Sequence, residues 1–148
     1  MKQFIPDKIK FIMVGALALA GCDNKHTTNN MSEQKQTVET YMDGFRTTDH
    51  SKILSCLNDD VIWEMPGFFY HEGKDAFDKE IENPNADGHP DISIARLVEE
   101  GNIVIAEGSV KAKMKDGNTL DAVFCDVFHF TDGKISKLTT YLMFNKKP

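Results

Sequence analysis

The sequence predicts an α+β domain in which N-terminal helices pack on a strongly curved, mostly antiparallel sheet. Apolar residues recur at helical spacing between residues 33 and 81, whereas long stretches with strand-like character, separated by turn signals, fill residues 92–144. Amphipathic helices must bury their apolar faces, and the following sheet is the only partner large enough to receive them. The two halves of the pattern therefore predict one two-layer domain.

Three helices are expected in the first half. In the first, Ser32 is the predicted cap and one face is apolar: Val38, Tyr41, Met42 and Phe45. Asp49 should cap a second, shorter helix that continues through Ile53, Leu54 and Leu57 and ends near residues 58–60. Gly73 should introduce a third helix, with Ala76, Phe77 and Ile81 on one side.

Strands are expected between and after these helices. Residues 61–65 predict a strand that ends at Pro66-Gly67, and a loop rich in Asn, Pro, Asp and Gly follows the third helix. Four longer strands are predicted over residues 92–99, 103–114, 120–130 and 135–144. The turns between them contain Gly101, Gly117 and Gly133, which suit the positive φ of hairpins.

The N-terminus indicates where the protein works. Lysines precede the apolar run 11–22, which is too short to span a bilayer, and the segment Leu19-Ala20-Gly21-Cys22 resembles a bacterial lipobox. The expected organisation is a lipoprotein signal peptide (1–21), a lipidated Cys22 with a flexible tether (22–34) and a globular domain (35–148). The alternatives are an ordinary signal peptide with an incidental cysteine, or a start at Met31.

Lipidation of Cys22 would anchor the protein in the cell envelope, because two or more acyl chains hold a protein durably on a membrane. Asp23 directly follows the lipid site and resembles the inner-membrane retention signal of enteric bacteria. The expected location is therefore the periplasmic face of the inner membrane.

Charge and cysteine content exclude several functions. The net charge is −6, and it becomes −8 once residues 1–21 are removed, which disfavours nucleic acid as a partner. Cys56 and Cys125 are not expected to pair, because Cys125 should point away from the helices. The cysteines and histidines show no metal-ligand spacing, so neither a metal nor another cofactor is expected.

One strand carries the main candidate for chemistry. Alternation over residues 123–130 places Asp126 on the same face as three aromatic residues, Phe124, Phe128 and Phe130. Burial should raise the pKa of this carboxyl, and a neutral acid in an apolar pocket can donate a hydrogen bond to a ligand oxygen. The equally weighted alternative is a structural carboxyl held by a backbone amide or a tyrosine hydroxyl.

Further residues are expected to surround this acid. Tyr41 belongs either to the core or to the pocket, and Trp63 and Met65 share a strand face that should line any cavity. The opposite face of the Asp126 strand is also largely apolar, with Val123, Cys125, Val127 and His129. A second subunit is the expected cover for that face, which predicts a homodimer, and the alternative cover is the chain's own termini.

Several motifs together resemble the SnoaL-like polyketide cyclases, within the superfamily of ketosteroid isomerase and nuclear transport factor 2. They are Thr40-Tyr41, Asn58-Asp59-Asp60-Val61, Trp63-Glu64-Met65-Pro66-Gly67, Gly73-Lys74-Asp75-Ala76, Cys125-Asp126-Val127-Phe128 and Asp132-Gly133-Lys134-Ile135. The resemblance covers roughly residues 33–144 and implies a cone-shaped fold. Because this fold hosts many chemistries, it does not by itself imply an activity.

The resemblance also assigns roles to individual residues. Tyr41 matches the tyrosine of the isomerase oxyanion hole and Asp126 the protonated aspartate beside it, while the general-base position is occupied by Met65. The Asp-Arg-Asp set of limonene epoxide hydrolase falls on Glu107, Ser109 and Thr140. Neither steroid isomerisation nor epoxide hydrolysis is therefore expected, and in a cyclase-type reaction Asp126 would be the acid with His71 as a helper.

The predicted function is the binding of a small hydrophobic molecule, with a carbonyl or hydroxyl group, by a lipid-anchored domain. The pocket residues expected for it, besides Asp126 and Tyr41, are Phe45, Trp63, Met65, His71, Phe124 and Phe128. Two alternatives stay open at this point: an isomerase- or cyclase-type enzyme that uses Asp126 and Tyr41 to stabilise an enolate, and a protein-interaction module that uses the outer sheet face. An open cavity beside Asp126 would favour binding or catalysis over the interaction module.

Overall fold

The computed structural model describes residues 31–145. Three helices and six strands are arranged along this part of the chain: α1 (Glu33–Thr47), α2 (His50–Ser55), β1 (Leu57–Met65), β2 (Phe69–Glu72), α3 (Lys74–Asp78), β3 (Asp91–Glu100), β4 (Ile103–Lys113), β5 (Thr119–Thr131) and β6 (Lys134–Phe144). The predicted signal peptide, Cys22 and most of the predicted tether lie outside the described residues. Within residues 31–145, no helix is long and apolar enough to cross a membrane.

The six strands form one sheet in the order β2-β1-β6-β5-β4-β3. All neighbours pair antiparallel except β1 and β6, which run parallel, so the prediction of a mostly antiparallel sheet is confirmed. The pairings of β3 with β4, of β5 with β6 and of β1 with β6 each contain a register shift, and such irregularities bend a sheet. The helices cover one face of the sheet, and the hydrophobic core lies between these two layers.

The helix starts follow the predicted caps. The Ser32 hydroxyl accepts from the backbone N–H of Lys35 at 3.2 Å, and the Asp49 carboxylate accepts from that of Lys52 at 2.9 Å. The predicted apolar face of α1 is the buried one, with Val38, Tyr41 and Met42 almost inaccessible. Local capping and helical spacing thus explain how α1 is placed on the sheet.

The end of α2 differs from the prediction. The helix stops at Ser55, and Leu57 starts β1 instead of completing the helical face. Leu57 is the register partner of Ile135 on β6, and the Ile135 N–H donates to the Cys56 carbonyl at 2.9 Å. Pairing with a strand distant in sequence therefore overrides the local helical spacing and lengthens β1 beyond the predicted residues 61–65.

The short strand β2 was not predicted. It pairs antiparallel with β1 after a turn at Pro66-Gly67, in which Gly67 has a φ of 85°. Its sequence, Phe69-Tyr70-His71-Glu72, carries no clear alternation of apolar and polar residues. The strand therefore forms because the preceding turn brings it beside the edge of β1, and its own composition does not predict it.

The two cysteines of the described domain lie in different environments. Cys56 is buried at the end of α2, and Cys125 lies on the sheet face that points away from the helices. Both thiols are free. The predicted outward direction of Cys125 is confirmed by the burial of its neighbours Phe124 and Asp126 on the opposite face.

Candidate functional site

A cavity of about 130 Å³ lies between α1 and the inner face of the sheet. Its wall is mostly apolar and aromatic, and three of its residues carry a carboxyl or hydroxyl group: Tyr41, Asp126 and Thr140. The complete lining consists of Tyr41, Met42, Phe45, Trp63, Ile92, Val110, Phe124, Asp126, Thr140 and Leu142. Five strands and one helix therefore contribute to one small pocket.

Asp126 is the ionisable carboxyl among the buried residues of the described domain. Only 8% of its surface is exposed, and burial raises the pKa of its carboxyl to about 7, with partial opposition from a hydrogen bond with the Thr140 side chain. The buried Oδ1 atom has no hydrogen-bond partner within residues 31–145. An ionised carboxylate would be poorly satisfied here, so the arrangement favours the neutral acid below about pH 7.

A short polar relay supports this acid from β6. The Trp63 indole N–H donates to the Thr140 hydroxyl oxygen at 3.1 Å, in a buried setting. Thr140 is the register partner of Asp126, so its own hydroxyl proton is available to the carboxyl across the strand pair. The hydrogen bond from Trp63 thereby helps to fix the orientation of the Thr140 hydroxyl beside Asp126.

Tyr41 reaches the cavity from α1 through a cluster of rings. Its ring centroid lies 5.0 Å from that of Phe45 and 5.3 Å from that of Phe128, the latter in an edge-on arrangement. Burial, then the nearby Asp126 charge, raises the pKa of the Tyr41 hydroxyl well above its ordinary value. The Tyr41 hydroxyl therefore stays neutral, and it is a donor that a ligand in the cavity could engage.

The structure brings most of the sequence-predicted site residues together. Phe45, Trp63 and Phe124 line the cavity with Asp126 and Tyr41, whereas Phe128 lies fully buried beneath Tyr41 and does not reach the cavity wall. These positions follow from the helical spacing of α1 and from alternation along β1 and β5.

Two of the predicted pocket residues lie elsewhere. Met65 does not line this cavity but contributes to a separate groove. The His71 ring stacks on Phe69 with the centroids 4.7 Å apart, and its Nε2 atom lies 3.2 Å from a Glu80 oxygen without hydrogen-bond alignment. His71 is therefore not positioned to act in the cavity.

The residues that match the epoxide hydrolase set do not assemble. Glu107 and Ser109 lie on the outer face of β4, since alternation points the buried Val104 and Ala106 inward, and Glu107 pairs with Arg96. Only Thr140 of that set lines the cavity. Among residues 31–145, no cluster of three or more His, Cys, Asp or Glu side chains is placed to bind a metal ion.

A second, larger depression lies against the outer side of the sheet. This outer groove has a volume of about 580 Å³ and is lined by Met65, Pro66, Phe68, Ala95, Glu107, Gly108, Val123, Phe124, Cys125, Thr140, Tyr141, Leu142 and Met143. It shares Phe124, Thr140 and Leu142 with the inner cavity. These three residues therefore form the wall between the two spaces.

Five lining residues of the cavity were not predicted as site residues: Met42, Ile92, Val110, Thr140 and Leu142. Met42 was predicted for the buried helix face but not for the pocket, and the other four come from three strands, β3, β4 and β6. Register between β3, β4, β5 and β6 brings them to one place, which periodicity within a single strand cannot reveal. The polar Thr140 on an inward position of β6 was the one available signal.

Comparisons with known proteins place this geometry in a family. Residues 38–138 match the SnoaL-like domain family. No curated protein matches the sequence significantly. The match to this family therefore covers more than half of the chain.

Solved structures with the same fold are numerous. A limonene epoxide hydrolase-like enzyme from M. tuberculosis is 20% identical, with a TM-score of 0.67, over 75% of this chain and 83% of its own. An NTF2-like protein of unknown function from Burkholderia pseudomallei is 20% identical, with a TM-score of 0.67, over 78% and 92%. TerC, co-crystallised with polyporic acid, is 21% identical, with a TM-score of 0.67, over 77% and 92%. At these identities the likeness shows the NTF2-like cone fold alone.

The buried acid predicts a characteristic dependence of stability on pH. Because the pKa of Asp126 is higher in the folded state than in the unfolded chain, the folded state binds more protons, and stability falls as pH rises from about 4 to about 7. Asp126→Asn should remove this dependence, so the free energy of unfolding of the variant, relative to the wild type, should rise by up to about 4 kcal/mol across that window. Urea titrations at several pH values measure this difference. A constant difference between pH 4 and pH 8 would contradict a raised pKa.

Proposed function

Since the chain belongs to the SnoaL-like domain family, we propose that it binds a small hydrophobic molecule with a carbonyl or hydroxyl group in its inner cavity. The buried, incompletely hydrogen-bonded Asp126 at the wall of an apolar cavity is the observation that carries this proposal. A ligand oxygen would accept from the neutral carboxyl and from the Tyr41 hydroxyl, and its apolar body would contact Phe45 and Trp63. Such a ligand satisfies the polar groups that the protein leaves unsatisfied.

The lining chemistry supports binding more than turnover. Of the described residues that line the cavity, only Tyr41 and Asp126 titrate; burial keeps the Tyr41 hydroxyl neutral and favours the neutral form of Asp126 below about pH 7. Proton transfer on a ketone needs a base as well as a donor. The isomerase- or cyclase-type alternative would require Asp126 to alternate between these roles, or a base from outside the described residues.

We also propose that the protein is a lipoprotein held at the periplasmic face of the inner membrane. The supporting features are the apolar run 11–22, the lipobox-like segment that ends at Cys22, and Asp23 after it. The anchor would keep the ligand-binding domain outside the cytoplasm, beside a membrane in which hydrophobic molecules concentrate.

We propose that two copies associate through the outer face of the sheet. Val123 is 42% exposed there, and its register partner Met143 is 71% exposed. Tyr141, the partner of Cys125, adds a third exposed apolar side chain to this outer face. Exposed apolar side chains grouped in this way favour self-association, because burial of apolar area is its main driving force.

The ligand-binding proposal predicts distinct effects of two substitutions at the acid. Cyclopentanone should bind in the cavity and shift the amide signals of Phe45, Trp63 and Phe124 in an NMR titration. Asp126→Asn keeps a donor, so its Kd should rise only two- to three-fold, whereas Asp126→Leu removes the hydrogen bond and should weaken binding about ten-fold. Asp91→Leu, at an exposed position, is the matched control. Equal affinities of all four proteins would contradict a role for Asp126.

The lipid-anchor proposal predicts that Cys22→Ala abolishes acylation, because Cys22 is the proposed acceptor of the acyl chains. Metabolic labelling with a fatty acid, followed by membrane fractionation, measures this. The wild type should carry label in the inner-membrane fraction, and the variant should carry none. Label that persists in the variant would refute the anchor, and recovery in the outer membrane would refute only the proposed location.

The dimer proposal predicts that Val127→Glu shifts the protein to monomers, because it places a charge in the apolar outer face. Sedimentation velocity over a wide concentration range measures the association. Thr40→Glu, which places the same charge on an exposed position of α1, should remain dimeric. A wild type that stays monomeric at every concentration would contradict the proposal.

A further inference from the structure

The inner cavity is smaller than the pockets that usually bind drug-sized molecules. Ligand pockets for drug-sized molecules usually enclose about 300–1,000 Å³, whereas this cavity encloses about 130 Å³. An apolar cavity of about 150 Å³ is known to accommodate benzene. The available space thus corresponds to a single five- or six-membered ring.

The aromatic side chains that line the cavity are tightly packed against neighbouring rings, so the cavity cannot easily expand on its helical side. The Trp63 ring stacks on Phe77 with centroids 4.4 Å apart and meets Phe69 edge-on at 5.0 Å. The Trp63 indole is also tied to Thr140 by its hydrogen bond. Tyr41 is braced by the Phe45 and Phe128 rings. Any outward movement of one ring would therefore disturb several packed neighbours.

The wall toward the outer groove depends on Phe124 and on a glycine beneath it. A Cβ atom at Gly108 would lie 2.6 Å from Phe124 Cζ and 2.2 Å from the Ser93 carbonyl oxygen, so the ring lies directly against the backbone of β4. Only glycine at position 108 permits this close contact between the Phe124 ring and the backbone of β4. The Phe124 ring consequently fills the space that would otherwise extend the cavity toward the outer groove.

We infer that the site selects single-ring or short-chain ketones and that Phe124, seated on Gly108, sets this size limit. The inference deepens the proposed function and rests on it, because the carbonyl of such a ligand is placed at Asp126 and Tyr41. Removal of the Phe124 ring would add space at the wall shared with the outer groove and admit a larger ligand of the same chemistry.

The inference is tested by a pair of saturated ketones that differ in size, cyclopentanone and the bicyclic 2-decalone. An unrestricted apolar site would bind 2-decalone more tightly, because each additional buried methylene strengthens binding. The size limit predicts the reverse: in the wild type, the Kd of 2-decalone should exceed that of cyclopentanone at least about ten-fold, a difference of about 1.4 kcal/mol. NMR titration of the full-length protein measures both values.

Two substitutions on the same face of β5 separate the role of Phe124 from a general loosening of the core. Phe124→Leu should lower the Kd of 2-decalone at least about ten-fold and change that of cyclopentanone less than about three-fold. Phe130→Leu, at a buried position that does not line the cavity, should leave both values unchanged. Leu142→Ala opens the same shared wall independently, and it should also admit 2-decalone if Phe124→Leu fails to fold.

Each outcome decides a different claim. Tighter binding of 2-decalone than of cyclopentanone by the wild type would overturn the size limit and leave the proposed binding function intact. Failure of the folded wall variants to admit 2-decalone would overturn the assignment of the limit to Phe124. If the wild type binds neither ketone, the proposed function fails, and the size limit fails with it.

Discussion

The pairing of β5 with β4 on one side and with β6 on the other is the constraint on which the rest of the structure depends. Because β5 lies between two partners, the alternation of its side chains fixes what both faces of the sheet present. Phe124, Asp126, Phe128 and Phe130 point to the helices, and a slip of one residue would reverse this arrangement. The register of one strand therefore determines the core, the cavity and the composition of the outer face together.

The inward position of Asp126 gives the apolar cavity a group that can form hydrogen bonds with a ligand. Surrounding rings remove water from the carboxyl, so its neutral form is favoured below about pH 7. The Trp63–Thr140 hydrogen bond holds a hydroxyl beside it, and Tyr41 adds a second donor from the helical layer. The cavity thus offers hydrogen-bond donors in an apolar space, which suits an oxygen acceptor on a small hydrophobic molecule.

Features specified within a short segment could be predicted from the sequence, and features specified by distant pairing could not. The Ser32 and Asp49 caps, the buried face of α1 and the alternation around Asp126 are local, and the structure has each of them as predicted. Leu57 was assigned to a helix because its pairing with Ile135 is not local. Met65 and His71 were expected at the pocket, whereas Ile92, Val110 and Leu142 line it because sheet register brings them there. The size of the cavity could not be predicted from the sequence either, since it depends on how closely the Phe124 ring approaches Gly108.

The central claim is that Asp126 is a neutral hydrogen-bond donor inside the cavity, and direct titration of its carboxyl carbon by NMR tests it. The wild-type protein should give a midpoint near 7, as expected for the buried group, and Thr140→Val should raise that midpoint, because it removes the hydrogen bond that favours the ionised form. A midpoint at or below about 3.9, the value of a free aspartate, would show that Asp126 is ionised and paired. That result would contradict the account of the cavity as a donor site.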